Sequence, residues 1–141
     1  MNNNLTIAKK ILIDGSYTCV LYIDDVEYHS TLRGVAPLIE FLESKKDFNG
    51  FYVADKIVGL GAAHLYVLLK VKAIWANVIS SPAKEFLVKN GIDVYCDSEV
   101  KYIINRDKTG VCPIESAVKG ITDLNKALIV IKETLKKLQN K

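Results

Sequence analysis

The stretch Ala73-Ile74-Trp75-Ala76-Asn77-Val78-Ile79-Ser80-Ser81-Pro82-Ala83-Lys84-Glu85-Phe86 decides the fold. Its first seven residues form a nearly unbroken apolar run, which suits a central strand covered on both faces. The spacing that follows predicts a helix over 82–90, with Ser81 as cap, Pro82 as first residue and Gly91 as stop. A buried strand that runs straight into a helix is the building unit of sheets sandwiched by helices.

Working outward, residues 61–69 read as a short helix that is apolar on every side, and such a helix is a buried one. Before it, apolar residues 51–54 and 57–58 flank a polar Asp55-Lys56 step. Residues 17–23 and 26–31 are aromatic and β-branched. The two residues between them, Asp24-Asp25, predict a hairpin whose turn lacks the usual glycine. Leu5, Ala8, Ile11 and Leu12 recur at helical spacing, with Asn4 as cap and Gly15 as stop. A helix over 34–44 carries Pro37 in its first turn. Further on, strands are expected over 94–96 and 100–105 and a helix over 113–119. Gly120 interrupts that helix, and Thr122 caps a last one through Leu138. The order predicts an α/β fold, a three-layer α-β-α sandwich with a mixed central sheet, in one domain spanning residues 1–141.

Composition narrows the function classes. Of 141 residues, half are apolar and a quarter charged, as in an ordinary globular protein. A chain this long buries close to 70% of its unfolded surface and needs no disulfide or metal for stability. The net charge is +3, and Lys132, Lys136, Lys137 and Lys141 supply much of it near the end of the chain. With no aromatic residues interleaved, these lysines read as a solvated helix face rather than a nucleic-acid arm. The three cysteines, Cys19, Cys96 and Cys112, show no C-x-x-C spacing, which fits a reducing compartment and a cytoplasmic location. No leader is evident at Met1-Asn2-Asn3-Asn4. The most apolar run, over 57–69, has 13 residues, whereas a membrane span needs about 20.

The element order is similar to the cytidine-deaminase-like fold. In those enzymes a buried helix opens with His-Ala-Glu or Cys-Ala-Glu, and a second helix, after the next strand, with Pro-Cys-x-x-Cys. Ser81-Pro82-Ala83-Lys84-Glu85-Phe86 matches the second motif in its proline, with Ala83 and Phe86 at the two cysteine positions. The first motif falls on Gly61-Ala62-Ala63-His64, to within one residue. The whole chain resembles a small prokaryotic family, a domain of unknown function within that superfamily, that lacks the zinc motifs. Arg33-Gly34-Val35-Ala36-Pro37-Leu38, Asp55-Lys56-Ile57-Val58-Gly59 and Cys112-Pro113-Ile114-Glu115 carry this resemblance. A catalytic zinc needs three protein ligands and an open position, and zinc deamination needs a glutamate beside the metal-bound water. Alanine and phenylalanine offer no lone pair. The resemblance therefore implies the scaffold without a metal, without a cofactor and without zinc-dependent deamination.

Several constellations admit a functional and a structural reading. Ser80-Ser81-Pro82 opens a helix at a strand's carboxyl end, where backbone N–H groups attract anions; it is equally an ordinary cap. Cys112 precedes Pro113 at another helix start, where a thiol can become a nucleophile, with Glu115 in the pattern of a capping box; otherwise it is an inert buried cysteine. His64 is either a general base or a hydrogen-bonded core histidine. Asp55 and Lys56 either line a pocket with His64 or form a solvated pair. Arg106 and Lys108, in a polar turn, and Arg33, beside Gly34, can clamp a phosphate or simply face solvent. Gly59-Leu60-Gly61-Ala62-Ala63-His64 half-matches a dinucleotide fingerprint but lacks its last glycine and its place in the first βαβ unit.

Three functions follow. The first is a binding module for a nucleotide-like or phosphate-bearing small molecule, drawing on Asp55, Lys56, His64, Ser80, Ser81 and the 105–112 loop. The second is a zinc-free enzyme with Cys112 as nucleophile and His64 or Glu115 moving the proton. The third is a homo-oligomeric interaction protein with a vestigial pocket. Neither a membrane nor a nucleic acid is expected as partner.

Overall fold

The computed structural model describes residues 1–104 and 110–139. Eleven elements follow one another: α1 (Asn3–Asp14), β1 (Cys19–Ile23), β2 (Val26–Ser30), α2 (Ala36–Glu43), β3 (Tyr52–Val58), α3 (Leu60–Leu69), β4 (Ala73–Ser80), α4 (Ser81–Lys89), β5 (Asp93–Val100), α5 (Pro113–Val118) and α6 (Leu124–Gln139). The strands form one mixed sheet in the order β2-β1-β3-β4-β5. β1 pairs antiparallel with β2 and β3, and β3, β4 and β5 run parallel.

The deciding stretch behaves as its pattern demands. β4 lies inside the sheet between β3 and β5, and Ile74, Ala76 and Ile79 are buried on it. β3 takes the exact middle. The cap of α4 is Ser80, one residue earlier than the sequence suggested: its side chain accepts from the Ala83 N–H, so Ser81 is already helical.

Helices cover both faces, giving a three-layer α/β sandwich. α1 lies on one face, where Leu5, Ala8 and Leu12 meet Val20, Ala54 and Trp75. α3 lies on the other, against α2 and α4, and α5 and α6 close over it. α3 is thus packed from the sheet side and from outside, the physical reason for its apolar residues all round.

The hairpin turn holds both Asp24 and Asp25 at positive φ, the type I′ geometry that usually recruits glycine. Asp55 and Lys56 are not a loop: they lie within β3. The strand expected over 100–105 is absent as such. β5 extends to Val100, and Ile104 makes only an isolated bridge to Val111. No helix among the described residues is long and apolar enough to cross a membrane.

Candidate functional site

The parallel strands β3 and β4 end at Val58 and Ser80, and α3 and α4 start there, so two helix N-termini stand at the same edge of the sheet. This edge is where ligands bind in open α/β sheets.

At α4, Ser80 is fully buried and used as the cap. The Ser81 hydroxyl donates to Glu99 Oε2 at 2.7 Å, and Lys84 Nζ lies 3.1 Å from Glu99 Oε1. One carboxylate, from the end of β5, therefore receives a hydroxyl and an ammonium at the opening of α4. The Glu99 carboxyl is held below its ordinary range, first by Ser81 and then by Lys84, and the Lys84 ammonium is raised by the same contact. Sequence reasoning passed over Glu99 and Lys84, because nothing local says that β5 ends beside α4.

At α3, Gly59 is the cap residue and has no side chain to offer. Glu115, from the first turn of α5, is buried beside it. Its Oε2 accepts from the Ile103 N–H, and its Oε1 has no partner among the described residues. Ile114 packs directly on Gly61, where a Cβ would fall 2.4 Å from its Cγ2.

His64, one turn into α3, is fully buried. Its Nδ1 is 2.8 Å from the Leu60 carbonyl and its Nε2 2.8 Å from the Ile121 carbonyl. The ring stacks on Phe86 of α4 with centroids 4.1 Å apart. His64 thus ties α3 to the α5–α6 connection, with no nitrogen turned towards a substrate.

Cys112 caps α5 without a side-chain hydrogen bond, and its N–H donates to the Ile103 carbonyl. Among the described residues no hydrogen bond joins its thiol to His64 or Glu115.

Asp55 faces elsewhere. It lies opposite Cys19 across the β1–β3 pair. Its Oδ2 accepts from the Tyr66 hydroxyl at 2.5 Å, and the Tyr66 oxygen lies 3.2 Å from Cys19 Sγ. All three are buried. Burial pushes the Asp55 carboxyl up to about 7, against hydrogen bonds from Tyr66 and from the Ile57 and Lys56 amides that pull it down. Burial, then the nearby Asp55 charge, raise both the Tyr66 hydroxyl and the Cys19 thiol. Tyr66 was legible in principle, since a tyrosine in a buried apolar helix requires a partner for its hydroxyl.

Lys56 is exposed on β3 and Arg33 is exposed ahead of α2. Arg106 and Lys108 lie outside the described residues. A shallow depression of about 360 Å³, lined by Lys10, Asp14, Tyr17 and Glu27 among others, sits at the C-terminal end of α1 and includes none of these residues. No group of three His, Cys, Asp or Glu among the described residues is arranged to hold a metal.

A family model described as a domain of unknown function, DUF1893, matches residues 7–135. The chain belongs to the DUF1893 family. It is similar to a DUF1893 family protein from Thermotoga maritima, known from a crystal structure, with 28% identity and a TM-score of 0.82. The match covers 97% of this chain and 91% of the Thermotoga one. No curated protein matches. The DUF1893 scaffold thus extends over nearly the whole chain, including both helix N-termini and the buried Asp55 network.

Proposed function

We propose that this DUF1893 chain is a single-domain binding module for a phosphate-bearing, nucleotide-like small molecule, held where α4 leaves β4. One observation carries the reading: the Ser81 hydroxyl and the Lys84 ammonium converge on a single carboxylate at a helix N-terminus. A hydroxyl and a cation at the positive end of a helix are ingredients of a phosphate site. Glu99 fills it while no ligand is present, and an incoming phosphate takes the place of that carboxylate.

The reading is compatible with a cytidine-deaminase-like ancestry. The two segments that resemble the deaminase motifs meet through the His64–Phe86 stack, with Phe86 at a cysteine position of the second motif and His64 within one residue of the glutamate position of the first. The zinc-free enzyme has less support, because among the described residues no hydrogen bond joins Cys112 to His64 or Glu115. A homo-oligomer draws support from exposed Val100 at the end of β5 and Tyr102, Ile104 and Val111 beyond it, and light scattering in solution tests it.

Calorimetric titration with ribose 5-phosphate tests the binding reading. Ser81→Ala and Lys84→Ala should each weaken binding by about tenfold, the scale of one charge-assisted hydrogen bond. Glu99→Gln, which removes the competing charge, should tighten it. Equal affinity in the wild type and all three variants means that α4 does not hold the phosphate.

A further inference from the structure

We propose that His64 is a proton-operated latch between α3 and the connection from α5 to α6: the imidazolium bonds the Leu60 and Ile121 carbonyls at once, and the neutral ring lets the Ile121 carbonyl go. The ring supplies the first observation. Its Nδ1 lies 2.8 Å from the Leu60 carbonyl oxygen and its Nε2 2.8 Å from that of Ile121, and the side chain is fully buried. A carbonyl only accepts, and a neutral imidazole has one N–H. Both bonds therefore exist together only when both nitrogens carry protons. In the neutral ring one nitrogen turns a lone pair towards a carbonyl oxygen, and polar atoms left facing each other without a proton between them are costly away from water.

The surroundings suit a cation without neutralising it. The Phe86 ring of α4 stacks on His64 with centroids 4.1 Å apart, and an aromatic face attracts positive charge. The charged and titratable groups on the elements around α3 are committed elsewhere. On α5, Glu115 accepts from the Ile103 N–H. On α4, Lys84 pairs with Glu99, and Glu85 is exposed. On the sheet, Asp55 and Cys19 are both bonded to Tyr66. Ahead of α6, exposed Asp123 accepts from the Lys126 N–H. Among the described residues none of these is hydrogen-bonded to His64. The two carbonyls hold the proton, so its loss is felt at them first.

Of the two carbonyls, that of Ile121 is the one free to move. Leu60 is the first residue of α3 and is held by the helix. Ile121 lies in the connection between Val118, where α5 ends, and Leu124, where α6 begins. Gly120, next to it, has a φ of +79°, a conformation open to glycine, and gives the connection a joint. Among the described residues His64 is the only hydrogen-bond partner of residues 119–123 outside α5 and α6. Those two helices cover α3 through Ile114, Val118, Ala127 and Ile131. The latch therefore sets how firmly that cover is tied down, and it stands without the phosphate reading.

NMR of the histidine ring nitrogens in isotope-labelled protein, followed from about pH 5 to 8, tests the latch. The chain has two histidines, and His29→Gln removes the exposed one and assigns the signals. At the acid end both His64 nitrogens should carry protons. As the pH rises one proton should be lost, and the backbone amides of residues 119–123 should shift with the same midpoint. Exchange of the Ile121 amide hydrogen, corrected for its intrinsic pH dependence, should then quicken about tenfold, the scale of one hydrogen bond. A ring with one N–H at every pH overturns the inference, and so does a ring with two at every pH. A proton loss that leaves residues 119–123 unmoved overturns it as well.

Discussion

Asp55 and Glu115 are both buried carboxyl side chains, and the fold treats them in opposite ways. Asp55 sits mid-strand with Tyr66 and the Ile57 amide donating to its two oxygens, sealed between β1, β3 and α3. Glu115 sits at the edge where strands end and helices begin, with one oxygen satisfied and the other without a partner among the described residues. A closed, fully paired network holds parts together. Among the described residues Glu115 closes no comparable network. The perturbed titration of Asp55 is therefore a sign of burial in the core.

The largest expected effect sharpens that contrast through pH. Asp55 is raised from 3.8 to about 7 in the folded chain. Its proton is retained on folding, so the associated stability is complete below pH 4 and is lost as pH rises through 7. By linkage this amounts to something on the order of 4 kcal/mol. Tyr66 and Cys19, the titratable groups bonded in that network, are raised and stay protonated throughout this window. Asp55→Asn removes the titration. Urea unfolding between pH 4 and 8 should show the variant gaining on the wild type up to about pH 7, with a constant difference above. A pH-independent difference would mean that Asp55 is not desolvated.

Next in size is Tyr66→Phe. It keeps the ring and removes the hydroxyl that joins Asp55 to Cys19. A buried acceptor loses its donor, at a cost of about 1–3 kcal/mol in chemical denaturation. A cost under about 0.5 kcal/mol would break the comparison by showing the network to be slack. The smallest effect belongs to Glu115→Gln. The amide carbonyl still accepts from Ile103, and no second partner is lost. Stability should change by less than about 1 kcal/mol in either direction. A loss as large as that of Tyr66→Phe would mean that Glu115 is as fully engaged as Asp55.

Much of the scaffold was legible from residue order because its signals are local. The apolar run over 73–79 and the Ser-Pro start of α4 follow from periodicity and capping chemistry, and the all-apolar α3 reads as a buried helix. The hairpin was legible too, although its turn carries two aspartates in a conformation glycine normally supplies. The errors were at ends: the cap of α4 shifted by one residue to Ser80, that of α1 from Asn4 to Asn2 and that of α6 from Thr122 to Asp123, and the strand expected over 100–105 gave way to a longer β5 and a single bridge. Ends depend on which neighbour takes the last amide, and neighbours are not written locally.

The candidate sites divide along the same line. The sequence by itself determined that α4 opens with Ala83 and Phe86 and brings no thiolate there, since a side chain without a lone pair cannot bind zinc in any fold. It also determined that Ser80 and Ser81 open a helix at a strand's carboxyl end. Only the tertiary structure decided the pairings: Glu99 on Ser81 and Lys84, His64 between two carbonyls, Asp55 with Tyr66 and Cys19, and Glu115 beside Gly59. Apart from the local His64–Leu60 bond within α3, these join residues 11 to 57 positions apart through strand register and helix packing. A hydrogen bond needs its partners within about 3 Å, and distances of that order are set by how the layers close rather than by the order of residues along the chain.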